Sequence, residues 1–192
     1  RSPPALRAPA KVNCALFSRM AGILRPIEAM DPTSMMKAVK NRTEMENMRK
    51  AHIKDGVALT KFIFWLKKNA GKMRITETEA AEYLERLRKE QEGYLCPSFP
   101  TIPASGANAA MCHYHAAKGA ESEIEARGLY LVDSGGQYYE GTTDVTRTIA
   151  LGELTHEEKL HYTLVLMGML RLSDAKFLYG CRGINLDYLA RG

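Results

Sequence analysis

The sequence predicts an α+β fold. Two capped amphipathic patterns occupy residues 43–93, strand-like segments separated by Gly, Ser and Asn turns fill residues 99–151, and a third capped helical pattern follows. Helices first, then strands suited to antiparallel pairing, then helices again leaves no alternation of the kind that builds a parallel sheet.

Residues 1–32 are rich in Pro and Ala around the short apolar piece Cys14-Ala15-Leu16-Phe17, and read as a linker or the tail of a preceding unit. From Thr43 the texture is helical. Thr43-Glu44-Met45-Glu46 has the form of a capping box, in which a hydroxyl and a carboxylate three residues on satisfy the free amides of a first turn. Met45, Met48, Ile53, Val57, Thr60 and Phe64 then recur at helical spacing, giving a long amphipathic helix that Asn69-Ala70-Gly71 ends. A second box, Thr76-Glu77-Thr78-Glu79, follows Ile75 and opens a helix whose apolar face is Ala80, Tyr83, Leu84 and Leu87, before Gly93.

Four strands are expected next: Phe99-Pro100-Thr101-Ile102, Met111-Cys112-His113-Tyr114, Leu129-Tyr130-Leu131-Val132-Asp133 and residues 143–149. A third box, Thr155-His156-Glu157-Glu158, opens a helix through Leu160, Leu164, Met167 and Leu170. Gly180 and Gly183 break the chain before a short helical end over residues 186–190. No internal repeat is present.

With 45% hydrophobic and 26% charged residues, 192 residues suffice for a substantial core. No apolar run is long enough to cross a bilayer, and the start, Arg1-Ser2-Pro3-Pro4-Ala5, lacks the layout of a secretory signal, so a cytoplasmic protein without a membrane partner is expected. Cys14, Cys96, Cys112 and Cys181 are far apart and form no CxxC pair, which argues for reduced thiols over a zinc ribbon or a disulfide scaffold. Charge is uneven, +11 over residues 1–74 and −6 over the remainder. The basic residues are strung along a helix with acidic ones among them and without a nucleic-acid motif, so a solvated face is expected and nucleic acid is not.

The most informative segment spans residues 131–148. Asp133 and Asp144 each sit in an otherwise apolar or β-branched pattern, where an unpaired carboxylate is expensive to bury and calls for a positive neighbour. If the hairpin is centred near Tyr138-Tyr139, Asp133 and Asp144 lie directly opposite each other with Cβ atoms about 5 Å apart. Two carboxylates that close repel unless a cation or proton lies between them, and a divalent metal such as Mn²⁺ or Mg²⁺ suits an oxygen-rich site. Spacing alone leaves open a second reading, in which both are turn-flanking residues of a loop-rich hairpin.

From Leu131 to Thr148 the sequence resembles the first metal-ligand hairpin of the pita-bread metallopeptidases, and the run Gly141-Thr142-Thr143-Asp144-Val145-Thr146-Arg147-Thr148 is specifically similar to the cytosolic-type aminopeptidase P family. Similarity continues in Lys37-Ala38-Val39-Lys40-Asn41, Arg49-Lys50-Ala51-His52-Ile53-Lys54-Asp55-Gly56-Val57-Ala58-Leu59, Ser98-Phe99-Pro100-Thr101-Ile102 and His113-Tyr114. The resemblance implies a partial pita-bread fold (creatinase/methionine aminopeptidase-like), with an antiparallel sheet covered by helices. Residues 1–35 would be the tail of a preceding domain and residues 36–192 the front part of the catalytic domain.

The resemblance further implies two divalent metal ions, Mn²⁺ first with Zn²⁺ or Co²⁺ as alternatives, with Asp133 ligating one metal and Asp144 bridging both. His113 would be a substrate contact rather than a ligand. His115 could pair with it as His-x-His at strand spacing, but the family has no ligand there; His52, His156 and His161 lie in helical patterns and read as solvated or packed residues. The implied reaction is removal of the N-terminal residue from peptides with proline in second position, by a homodimer. A prolidase-like dipeptidase and a non-catalytic pita-bread binding module are the alternatives, with a short basic interaction protein as a third class. In the family one histidine and two glutamates downstream of the Gly180 to Arg191 region complete the site. This chain alone is therefore expected to bind metal weakly, to be inactive through truncation, and to expose apolar surface and strand edges.

Overall fold

The computed structural model describes residues 5–7, 12–20, 23, 25–27 and 30–191. Contacts divide the chain into two units, residues 1–47 and residues 48–192. In the first, β1 (Ala5–Arg7) pairs in parallel with β2 (Arg25–Ile27), with α1 (Cys14–Met20) between them in sequence. The stretch expected to be a linker or the tail of a preceding unit thus holds, among the described residues, short regular elements. α2 (Pro32–Ala38) begins at a proline and is capped by Asp31, whose carboxylate accepts from the Thr33 amide at 3.0 Å.

α3 (Arg42–Asn69) starts one residue earlier than the sequence suggests. Its box is made by Asn41 and Glu44, not Thr43 and Glu46: the Glu44 amide donates to Asn41 Oδ1 at 2.9 Å and the Asn41 amide to Glu44 Oε2 at 2.8 Å. The buried face also differs. Ala51, Asp55, Ala58, Leu59, Phe62 and Leu66 face inward, whereas Ile53, Val57 and Phe64 are exposed. Asp55 interrupts the apolar stripe and disguises it. α4 (Glu77–Lys89) is capped as expected by Thr76 and Glu79, and buries Ala80, Leu84 and Leu87.

The second unit holds two sheets. β3 (Tyr94–Pro97) pairs antiparallel with β6 (Gly136–Tyr138), and β4 (Ile102–Ser105), β5 (Leu129–Ser134) and β7 (Val145–Ala150) form a three-stranded antiparallel sheet in the order β4-β5-β7. Gly93, at φ 80°, supplies the left-handed turn that leads from α4 into β3. The expected strand at Met111-Cys112-His113-Tyr114 is absent. That segment is turn and coil after a 3-10 turn at Gly106–Ala110, because its backbone follows side-chain anchors described below rather than a ladder.

Along β5, Tyr130, Val132 and Ser134 are buried, while Leu129, Leu131 and Asp133 alternate onto the other face. The inward residues join Phe62 and Leu66 of α3, Leu84 and Leu87 of α4, Ile75, Ile124 and Ile149 in one core, so the helices cover one face of the sheet. Each large apolar side chain so buried contributes about 1.5–3 kcal/mol. α5 (His156–Ser173) carries the Thr155–Glu158 box, and α6 (Gly183–Arg191) follows. α5 buries only Gly168 and exposes Leu160, Leu164, Val165 and Leu170, in keeping with the expected apolar surface.

Candidate functional site

The hairpin between β5 and β7 turns one residue later than the sequence suggests. Tyr138 and Gly141 exchange backbone hydrogen bonds at 2.9 and 3.2 Å, leaving Tyr139 and Glu140 as a two-residue loop. Tyr138 cannot be the tip because its side chain is needed inside. Its ring meets Tyr94 edge-on at 5.5 Å and its hydroxyl donates to Asp55 Oδ1 at 3.0 Å. At the tip, Tyr139 is exposed and Glu140 pairs with Lys54 at 2.5 Å.

That shift corrects the pairing of the two aspartates. Asp133 stands opposite Thr146, not Asp144, and Ser134 stands opposite Val145. Asp144 precedes β7 and, by the two-residue period of the ladder, falls on the same face as Asp133 but on the diagonal, about 7–8 Å away between Cα atoms. Direct opposition of the two aspartates is thereby excluded. Asp133 is half-buried and accepts from the Thr146 hydroxyl at 2.8 Å, and Asp144 is exposed. Neither forms an ion pair with a protein cation among the described residues.

The chemistry of these donors fits a divalent metal in part. Two carboxylates on one face, with Thr146 holding one oxygen of Asp133 and no protein cation to neutralise them, offer a hard cation oxygen ligands. A complete cage is not there: among the described residues no three His, Cys, Asp or Glu side chains converge as a metal site. His113 accordingly does not join the aspartates. It is exposed in a turn, next to Tyr114. His115 is exposed coil, and His52, His156 and His161 are exposed on helices.

Both aspartates are flanked by buried hydroxyl residues. Thr143, beside Asp144, is fully buried; its hydroxyl accepts from the Gly136 amide at 2.9 Å and its carbonyl accepts from the Ser98 hydroxyl at 2.8 Å. A Cβ at Gly135 would collide with that carbonyl and that hydroxyl, which is why a glycine stands there. Ser134, beside Asp133, accepts at 3.0 Å from Nη2 of Arg88, itself buried against Asp55.

Sequence reading missed two polar clusters. In the first, Asp55, Arg88, Ser134 and Tyr138 converge from α3, α4, β5 and β6. In the second, the fully buried Glu77 accepts from the Ser105 amide at 2.7 Å, Asn108 Nδ2 at 3.1 Å, the Tyr114 hydroxyl at 2.7 Å and the Ser122 amide at 3.0 Å. Burial, and then the hydrogen bond to Glu77, push the Tyr114 phenol up to about 12. The signal was there to be found: Asp55 sits at helical spacing from Ala51, Ala58, Leu59 and Phe62, and Arg88 at i+4 from Leu84.

Residues 46–192 match the model of metallopeptidase family M24. A probable Xaa-Pro aminopeptidase P of Sordaria macrospora is 45% identical over 183 residues, covering 94% of this chain and 30% of that protein. Among solved structures, an X-prolyl aminopeptidase from Caenorhabditis elegans, described as a cytosolic enzyme with a di-nuclear active site, superposes with a TM-score of 0.80 at 40% identity, covering 87% of this chain and 28% of that one. A prolidase from Pyrococcus furiosus superposes at 0.75 with 26% identity, covering 98% of this chain and 53% of its own. The α+β arrangement is therefore that of the pita-bread proteins. The chain spans about 30% of the length of the curated relatives it matches.

Proposed function

Because the chain belongs to metallopeptidase family M24, we propose that it carries the front part of the catalytic domain of a two-metal aminopeptidase that removes the N-terminal residue from peptides with proline in second position. What supports this reading is that Asp133 on β5 and Asp144, one residue before β7, stand in the two arms of one hairpin, with neither neutralised by a protein cation among the described residues. Bound divalent ions would supply Lewis-acid polarisation of the scissile carbonyl and activation of a water.

The residues of this chain then have distinct tasks. Asp133 and Asp144 hold the metals, and Thr146 steadies the Asp133 carboxylate by its hydroxyl. The ordered sheet beneath them keeps both carboxylates in place during the reaction. His113 contacts the bound peptide near the scissile bond, on a segment whose neighbour Tyr114 is tied to Glu77. Mn²⁺ is the proposed metal, residues 36–192 the proposed catalytic part, and a cytoplasmic homodimer the proposed form. The cytosolic relative from Caenorhabditis elegans supports the compartment; no helix among the described residues is long and apolar enough to cross a membrane.

The test is hydrolysis of an Xaa-Pro-peptide in Mn²⁺ by the 192-residue chain beside the full-length product of its gene. Activity confined to the longer protein, and lost in its Asp144→Asn variant, is the expected result. Cleavage of Xaa-Pro dipeptides in preference to longer peptides would replace this reading with a prolidase. Activity of the 192-residue chain alone would show that two carboxylates suffice.

A further inference from the structure

Asp133 lies near the end of β5, its backbone paired with Ile102 of β4 on one side and Thr146 of β7 on the other. β5 stops at Ser134, opposite Val145; past it the Gly135 carbonyl accepts from the Ser98 amide at 3.2 Å and the Gly136 carbonyl from the Thr143 amide at 2.9 Å. Backbone pairing places the strand, and the aim of a carboxylate on it depends further on how the next residue is held on the opposite face. Ser134 is that residue.

Ser134 is fully buried, and its Oγ accepts from Arg88 Nη2 at 3.0 Å. The guanidinium has no freedom of its own. Nε donates to Asp55 Oδ1 at 2.7 Å, Nη2 donates to Asp55 Oδ2 at 3.2 Å, and Asp55 Oδ1 also accepts from Tyr138 at 3.0 Å. Four elements are thus joined through the Asp55–Arg88 pair. A buried ion pair is a poor source of stability, since apolar side chains of the same volume often serve as well or better. Direction is what they cannot supply: the guanidinium fork makes several hydrogen bonds at fixed angles.

We propose that Arg88 is a positioning residue for the candidate metal site: through Ser134 it sets the aim of the Asp133 carboxylate, and Asp55 and Tyr138 aim Arg88. The inference rests on reading Asp133 as a metal ligand. Asp133 is then gripped from both sides, by the Thr146 hydroxyl on the open face and by the Ser134–Arg88 tie behind it. The packing of α3 against α4 is thereby coupled to the geometry of the site.

The test uses the full-length gene product and reads Mn²⁺ affinity by calorimetric titration, the visible spectrum of bound Co²⁺, and the urea midpoint of the metal-free form. Ser134→Ala removes the tie while leaving the Asp55–Arg88 pair in place, and is expected to weaken Mn²⁺ about tenfold or more and to alter the Co²⁺ spectrum. Arg88→Lys keeps the charge but loses the fork, and should weaken Mn²⁺ to a similar degree. The double variant should be no worse than either single one, because both act through the same bond. Leu84→Ala, a core truncation on α4, should lower the urea midpoint yet leave Mn²⁺ affinity unchanged.

Wild-type affinity in Ser134→Ala would overturn the proposal. So would an equal loss of affinity in Leu84→Ala, which would reduce the effect to general destabilisation. Asp133→Asn separates the two layers of the argument. If it binds Mn²⁺ like the wild type, the ligand reading fails and the positioning role falls with it; if it loses Mn²⁺ while Ser134→Ala does not, the positioning role alone fails.

Discussion

Arg88 and Asp55 form a two-bonded ion pair in the interior of the second unit, with side chains only 2% and 1% exposed. Removing one partner strands the other charge away from water. Asp55→Ala or Arg88→Ala is therefore expected to cost about 3–5 kcal/mol. Replacing both with apolar residues of similar volume should recover most of that loss, and urea denaturation of the three variants measures the difference.

Gly135 sits where any side chain would strike the Thr143 carbonyl and the Ser98 hydroxyl. Gly135→Ala should push the two arms of the hairpin apart at the level of both aspartates, at a cost of about 1–3 kcal/mol from overpacking. Loss of amide protection at Gly136 and Thr143 in hydrogen exchange would show the separation directly.

Glu77 holds the segment on which His113 lies. Glu77→Ala leaves the Ser105 and Ser122 amides and the Tyr114 hydroxyl without their acceptor, each loss costing about 1–3 kcal/mol where the group stays buried. Limited proteolysis should then cut within residues 105–122. The phenol of Tyr114 gives a pH signature. Its folded value, about 12, lies above the ordinary value near 10, so its stabilisation is whole below about pH 10 and is lost as pH rises through about 12. The difference between wild-type and Tyr114→Phe absorbance titrations should place one tyrosine there.

Acid should loosen the hairpin tip. The hydrogen bond from Lys54, and then a backbone hydrogen bond, hold the Glu140 carboxyl below the ordinary carboxylate range. A depressed folded value means that its stabilisation is present above the unfolded value, near 4.3, and is lost as pH falls through the folded one. Amide exchange at Tyr138 and Gly141 should accelerate in that window in the wild type, and show no such step in Glu140→Gln.

Much of the second unit was legible because its signals are local. The Thr76–Glu79 and Thr155–Glu158 boxes need only the neighbouring four residues, and both form as read. β5 and β7 carry their β-branched and apolar residues in sequence, and appear within one or two residues of expectation. α3 was harder. Its start moved because Asn41 caps as well as Thr43 would, and its inner face was misjudged because a charged residue, Asp55, lies on it. The segment at His113 resisted reading because its shape is set by Glu77, some 36 positions away in sequence, rather than by a ladder.

Fold class, capped helices, family and the presence of two aspartates in the arms of one hairpin were all readable along the chain, since period, capping and motif are properties of short stretches. Which residue stands opposite Asp133 depends on contacts made after the chain has folded. The hairpin register follows from which tyrosine is drawn inward, and Tyr138 is drawn inward by Asp55, 83 residues earlier. That partner reaches the strand only after two helices have folded back onto the sheet. No window along the sequence contains both ends of that hydrogen bond.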